Sequence, residues 1–129
     1  MQYRRIGKSG AKVSVIGFGS WLTVGGTVDK KTGNSLIADA FENGINFFDT
    51  ADVYANGNAE KFFGDALHDF SRHHLFIASK CYWPMSDKAN DRGLSRKHIF
   101  ESVQFLFVYF FFLLNLKCPK ASQQFLVVA

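Results

Sequence analysis

The fold is decided by Ile45-Asn46-Phe47-Phe48-Asp49-Thr50 and Leu75-Phe76-Ile77-Ala78-Ser79-Lys80. Each segment is a short apolar run that becomes polar at its C-terminal end. Neither alternates apolar and polar side chains, which is typical of parallel strands that are covered on both faces. Because parallel strands end at the same edge of a sheet, Asp49 and Lys80 are expected to lie near one another, at the edge where ligands bind.

Helical patterns separate and flank these two segments. Residues 34–43 and 58–68 each place apolar side chains on one face, and Asp29 or Thr32 is a candidate cap for the first helix. A third helix is expected to begin after Ser95, a residue type that favours the N-cap position. The alternation of strand and helix at a spacing of about 30 residues matches consecutive βαβ units.

The N-terminal part adds two further features. Residues 2–6 and 12–16 flank a glycine-containing loop and predict a β-hairpin, and residues 17–21 predict a short extended segment. The whole pattern fits either an open doubly wound sheet or a (β/α)8 barrel. No G-x-G-x-x-G motif opens a helix after the first strand, which disfavours the dinucleotide-binding doubly wound fold.

Three side chains at the strand ends could carry chemistry. Asp49 and Lys80 lie at the ends of predicted strands, and Tyr54 follows Asp49 by five residues on the departing loop. An acid, an ammonium group and a phenol could therefore converge. From position alone, a structural Asp–Lys pair with a packed tyrosine explains the pattern equally well. Trp21 and Trp83 could line a pocket beside them, and only Trp21 is favoured for that role over packing.

Length and composition exclude several classes of protein. The chain has 129 residues, which suggests one domain, and its net charge of +4 is scattered instead of forming the basic stripe of a nucleic-acid surface. No apolar signal segment follows the first residues, so a cytoplasmic protein with two reduced cysteines is expected. The His73-His74 doublet lacks a supporting cluster of ligands, and no metal site is expected.

Two segments around the candidate residues closely resemble the aldo-keto reductases. They are residues 46–54, with the spacing D-x-A-x-x-Y, and residues 77–80, which end in the lysine. Residues 17–21 and 91–99 resemble the branch of that family that includes the voltage-gated potassium channel β subunits and their bacterial relatives. The resemblance covers residues 1–103.

The resemblance implies a TIM barrel whose bottom is closed by an N-terminal hairpin. It also implies that NADPH donates a hydride to a small carbonyl substrate, an aldehyde or ketone. Tyr54 would protonate the carbonyl oxygen, Lys80 would make the phenol a better acid, and Asp49 would hold Lys80 in place.

The resemblance also assigns a cofactor site and a second function class. Ser20, Trp21, Thr27 and Asp49 would contact the nicotinamide end of NADPH. Kinship with channel β subunits implies an alternative function as a regulatory or interaction protein with a channel-like partner.

The length implies a truncated barrel. A complete (β/α)8 barrel needs about 250 residues, so about three βα units are expected here, within residues 1–103. Residues 104–129 are expected to be a divergent hydrophobic tail that supplies no fourth strand and none of the His or Asn that follows that strand in the family. We therefore expect the chain to be inactive in this form and to bind NADPH weakly.

The tail raises a third function class, a membrane-associated fragment. Residues 103–116 contain 12 apolar residues in 14. This length falls short of the roughly 20 residues that a membrane-spanning helix requires. Stable membrane insertion is therefore not expected.

Overall fold

The computed structural model describes residues 1–112 and 126–128. Strands and helices alternate along most of the chain, as the spacing of the apolar segments predicts. The strands are β1 (Tyr3–Arg5), β2 (Lys12–Ser14), β3 (Phe18–Gly19), β4 (Phe47–Asp49), β5 (Phe76–Lys80) and β6 (Leu126–Val128). The helices are α1 (Lys30–Glu42), α2 (Asn58–Ala66) and α3 (Arg96–Phe107), and α3 continues as a π-helical segment over Val108–Phe112.

Two separate sheets are present in the described residues. Strands β1 and β2 form the predicted antiparallel hairpin, with Arg4 opposite Val13. The other four strands form one sheet in the order β3-β4-β5-β6, and every neighbouring pair is parallel. This arrangement confirms the interpretation of the two apolar segments as neighbouring parallel strands.

The fourth parallel strand corrects the sequence-based expectation. The tail was predicted to supply no such strand, yet β6 pairs with β5, and Lys80 lies opposite Val128. Three residues are too short to show a periodic pattern, and their partner lies far away in the sequence. Of the tail predicted from residue 104, residues 113–125 and 129 lie outside the described residues. Within residues 1–112 and 126–128, no helix has the length and apolar character needed to cross a bilayer.

Side-chain caps define where α1 and α3 begin. The Asp29 carboxylate accepts hydrogen bonds from the backbone amides of Lys31 and Thr32, at 3.0 and 3.1 Å, and α1 therefore begins at Lys30, four residues earlier than predicted. Ser95 caps α3 as predicted, because its hydroxyl accepts a hydrogen bond from the backbone amide of His98 at 3.1 Å.

Aromatic side chains form the core between the parallel sheet and the helices. Phe48 of β4 and Phe63 of α2 are fully buried and meet edge to face, with ring centroids 5.8 Å apart. Phe18 of β3 packs against both rings, and Ile37 of α1 and Ile77 of β5 extend the same cluster. Burial of side chains this large is the main favourable contribution to folding.

A glycine holds the segment after β3 against the start of α2. Gly25 has a φ of +89°, and a Cβ atom placed on it would lie 2.8 Å from the backbone nitrogen of Ala59. Both the left-handed conformation and the close approach therefore require glycine. This contact fixes the course of the chain between β3 and α1, next to the strand ends that carry the candidate site.

Candidate active site at the ends of the parallel strands

The ends of β4 and β5 are joined by a short ion pair. Lys80 Nζ lies 2.6 Å from Asp49 Oδ1 and also donates a hydrogen bond to the carbonyl oxygen of Thr50 at 2.7 Å. About a third of each charged side chain is exposed, so the pair adds about 1 kcal/mol or less to stability. Its main effect is geometric, because two acceptors on one strand end fix the ammonium group of the next strand.

Tyr54 lies beside this ion pair on the turn that leaves β4. Lys80 Nζ is 4.9 Å from the centroid of the Tyr54 ring, and the Trp21 ring stacks on the same phenol at 6.0 Å with an interplanar angle of 16°. Ala55 and Asn56 follow with φ angles of +48° and +54°, which non-glycine residues rarely adopt. Such conformations cost on the order of 1 kcal/mol each and persist only where the surroundings hold them.

The four residues expected to contact the cofactor have different surroundings in the structure. The backbone nitrogen of Ser20 donates to the carbonyl oxygen of Asp49 at 3.0 Å. The Ser20 hydroxyl is fully buried and has no hydrogen-bond partner in the described part of the chain. Trp21 is exposed over Tyr54. Thr27 is exposed in the following turn, and no hydrogen bond of the described residues connects its side chain to the other three.

A cavity of about 350 Å³ opens beside Tyr54 and Lys80. Its walls are formed by residues 51–54, residues 80–83 and Leu94. The volume is within the range of small-molecule sites, and the walls are mainly apolar apart from a few polar groups. Trp83 lines this cavity, and Trp21 lies outside its walls but stacks on Tyr54, which is one of them.

Glu60 belongs to a buried polar cluster behind the strand ends that the sequence-based prediction missed. This residue of α2 is only 3% exposed and accepts a hydrogen bond from the Ser79 hydroxyl of β5 at 2.5 Å. The pKa of the Glu60 carboxyl is raised to about 7, mainly by burial; the Ser79 hydrogen bond lowers it and the negative charge of Asp52 raises it, and both effects are included in that value. The sequence did carry a signal, since residue 60 falls on the same helical stripe as the buried residues Phe63 and Leu67.

Asp52 forms the second part of the cluster. Its carboxylate accepts a hydrogen bond from the Ser102 hydroxyl of α3 at 3.1 Å, and His98 Nε2 lies 3.9 Å from the same oxygen. Burial raises the pKa of Asp52, and the Ser102 hydrogen bond opposes that effect. Cys81 is buried nearby, and burial raises the pKa of its thiol, which makes it a poor nucleophile at neutral pH.

Two curated plant proteins are similar to this chain in sequence. A probable voltage-gated potassium channel β subunit from Arabidopsis thaliana is 44% identical over 106 residues, which is 81% of this chain and 32% of that protein. The corresponding protein of Oryza sativa subsp. japonica is 42% identical over 106 residues, with the same coverage. The chain therefore spans about a third of the length of these relatives.

Comparison with solved structures agrees with the sequence relatives. The crystal structure of a thermostable aldo-keto reductase in complex with the inhibitor epalrestat has a TM-score of 0.70 and 30% identity, and the match covers 85% of this chain and 39% of that one. This likeness confirms the barrel over the open doubly wound sheet and identifies the structure as part of an aldo-keto reductase TIM barrel. The family model of the aldo/keto reductases matches residues 15–106. The chain thus belongs to the aldo/keto reductase family.

Proposed function

We propose that the strand-end site is part of a catalytic centre for NADPH-dependent reduction of an aldehyde or ketone, with Tyr54 as the proton donor. The observation that carries the proposal is the convergence of the Tyr54 phenol, the Lys80 ammonium group and the Asp49 carboxylate beside an apolar cavity. Membership of the aldo/keto reductase family supports the choice of reaction.

The surroundings of Asp49 are compatible with the nicotinamide end of NADPH. The buried Ser20 hydroxyl lacks a partner in residues 1–112 and 126–128, and a carboxamide could supply one. The exposed Trp21 ring offers a flat surface, and the Asp49 carboxylate offers a hydrogen-bond acceptor. Thr27 has no such support in the structure, and its cofactor contact rests on the family resemblance alone.

Each side chain has a distinct part in the proposed reaction. NADPH, when bound, supplies a hydride to the carbonyl carbon. Tyr54 donates its phenolic proton to the carbonyl oxygen, which yields the alcohol and leaves a phenolate. Lys80 stabilises that phenolate electrostatically, and Asp49 keeps the ammonium group in position. A proton from solvent then restores Tyr54.

Turnover at high NADPH concentration tests this function. We expect little or no NADPH consumption with small aldehydes from the chain alone, and Tyr54→Phe should reduce any measurable rate about a hundredfold or more, the usual contribution of a positioned general acid. Tyr82→Phe is the matched control, because it removes a hydroxyl from the wall of the same cavity. Equal rates for the Tyr54→Phe and Tyr82→Phe variants contradict the proposal.

Cofactor affinity is a separate part of the proposal. The chain spans about a third of its plant relatives, and the contacts expected here involve only the nicotinamide end of the cofactor. We therefore propose that NADPH binds weakly and that the chain alone is a poor reductase. Titration of NADPH fluorescence should show no saturation in the micromolar range, and micromolar or tighter binding refutes this part.

A second candidate function is regulation of a membrane channel. It is supported by the 44% identity to a protein described as a probable voltage-gated potassium channel β subunit. Co-purification of the chain with a potassium channel supports this function, and no retention by such a channel argues against it.

The expectation of a cytoplasmic location stays a prediction.

A further inference from the structure

We propose that Asp52 is a positioning residue that fixes the Tyr54 turn by tying it to α3. The proposal rests on the proposed function only for the importance of Tyr54. The structural link itself stands independently. It connects the turn to Ser102, 50 residues further along the chain.

Asp52 contacts two other elements from the middle of the turn. Its side chain accepts the Ser102 hydrogen bond from α3 at 3.1 Å. Its backbone nitrogen donates to the carbonyl oxygen of Lys80, at the end of β5, at 3.1 Å. The residue therefore holds the turn at two points, one on the neighbouring strand and one on the helix beyond it.

A hydrogen bond between Ala51 and Tyr54 passes this constraint to Tyr54. The backbone nitrogen of Tyr54 donates to the carbonyl oxygen of Ala51 at 3.1 Å, which closes a tight turn around Asp52. A displacement of Asp52 must therefore displace Tyr54 or break this hydrogen bond. The left-handed conformations of Ala55 and Asn56 directly after Tyr54 also show that the turn is held against its local preference.

Simple packing does not account for an acid at this place. Asp52 is only 6% exposed, and one of its oxygens, Oδ1, has no hydrogen-bond partner among the described residues. The nearest cationic candidate, His98, is 3.9 Å away, beyond hydrogen-bonding distance. An apolar residue would fill the space without the cost of burying a carboxyl group. Only a polar side chain at this position can form the directional hydrogen bond with Ser102, and this hydrogen bond fixes the orientation of the turn.

The stacking of Trp21 on Tyr54 provides a spectroscopic readout of this position. In a Trp83→Phe background, Trp21 is the remaining tryptophan, so its near-UV circular dichroism and fluorescence report on the stack. Tyr54→Ala in that background defines the signal without the stacked ring. We expect Asp52→Ala and Ser102→Ala each to shift the Trp21 signal most of the way towards that of Tyr54→Ala. Asp52→Asn retains an acceptor for Ser102 and should keep the Trp21 signal of the stacked ring.

The controls separate positioning from general destabilisation and from cofactor binding. Glu101→Ala breaks the exposed Lys97 ion pair on α3, next to Ser102, and should leave the Trp21 signal unchanged. Ser102→Ala decides the matter if Asp52→Ala does not fold, because alanine is tolerated well in a helix. A folded Ser102→Ala variant with an unchanged Trp21 signal overturns the proposal. The rates of NADPH turnover by Tyr54→Phe and Tyr82→Phe report separately on the proposed function, since equal rates leave the Trp21 result intact.

Discussion

Replacing Glu60 by glutamine should remove a pH dependence that is built into the core. The Glu60 carboxyl is buried between α2 and β5, where the Ser79 hydroxyl donates to it. The charged group that acts on Glu60 is Asp52, whose negative charge raises the pKa of the Glu60 carboxyl. Glutamine resembles the protonated acid in shape and still accepts the Ser79 hydrogen bond, so Glu60→Gln removes the charge and little else.

The size of the effect follows from the pKa of Glu60 in the two states. Burial raises this pKa from the ordinary value of 4.5 to about 7 in the folded chain. Below pH 4.5 the carboxyl is protonated in both states and no stability is lost. Between pH 4.5 and 7 the unfolded state releases the proton first, so the free energy of unfolding falls as the pH rises. Each unit of difference between the pKa values of Glu60 in the folded and unfolded states corresponds to about 1.4 kcal/mol. Above pH 7 the free energy of unfolding is therefore lower by about 3 kcal/mol.

Urea unfolding at pH 4.5 and pH 8 measures this loss. At each pH, the free energy of unfolding of wild type is subtracted from that of Glu60→Gln. This difference should be about 3 kcal/mol larger at pH 8 than at pH 4.5. Contributions from titratable groups that do not interact with Glu60 cancel when the two proteins are compared at each pH. Glu101→Gln, on the exposed surface of α3, is the matched control and should show little pH-dependent gain. A gain at pH 8 no larger than that of the control would show that Glu60 ionises freely in the fold.

Three further substitutions test the fold and the strand-end site. Phe63→Ala should destabilise the chain by about 3–5 kcal/mol in urea unfolding, because it leaves a cavity at the centre of the core. Phe105→Ala on the exposed face of α3 is the control and should change stability by less than about 0.5 kcal/mol. Gly25→Ala should cost about 2 kcal/mol or more in the same assay, since its Cβ would meet backbone atoms at a positive φ; an unchanged midpoint contradicts that contact. Lys80→Met leaves Asp49 unpaired and should lower the free energy of unfolding by about 1 kcal/mol or less. The same substitution should abolish any Tyr54-dependent turnover. Retained turnover argues against the proposed part of Lys80 in the reaction.

Features with local signals were predictable from the sequence. The two central strands are apolar runs with polar ends, and α3 begins after Ser95 because a serine side chain satisfies the first free amides of the helix. The meeting of Asp49 and Lys80 followed from the shared edge of parallel strands. Asp29 was recognised as a candidate cap for α1, yet the apolar periodicity began only at residue 34, so the predicted start was too late.

Features that depend on distant partners were not predictable in the same way. Strand β6 has three residues, and only its pairing with β5 defines it. The Glu60–Ser79 and Asp52–Ser102 contacts each join residues from different elements, and no periodicity specifies which hydroxyl reaches which acid. The cavity wall at Trp83 depends on the course of the irregular segment after β5, for which the sequence offers no repeating pattern.

The order of the parallel strands bears on how the molecule assembles during synthesis. Each strand of the sheet pairs with the next strand along the chain, so the sheet extends in one direction, from β3 towards β6. A nascent chain can therefore add one strand and one helix at a time as they leave the ribosome, without rearranging earlier pairs. At every stage the most recently added strand presents a free row of amides and carbonyls. That growing edge is a template for the next strand, and in a crowded cell it is equally a template for a strand of a neighbouring molecule.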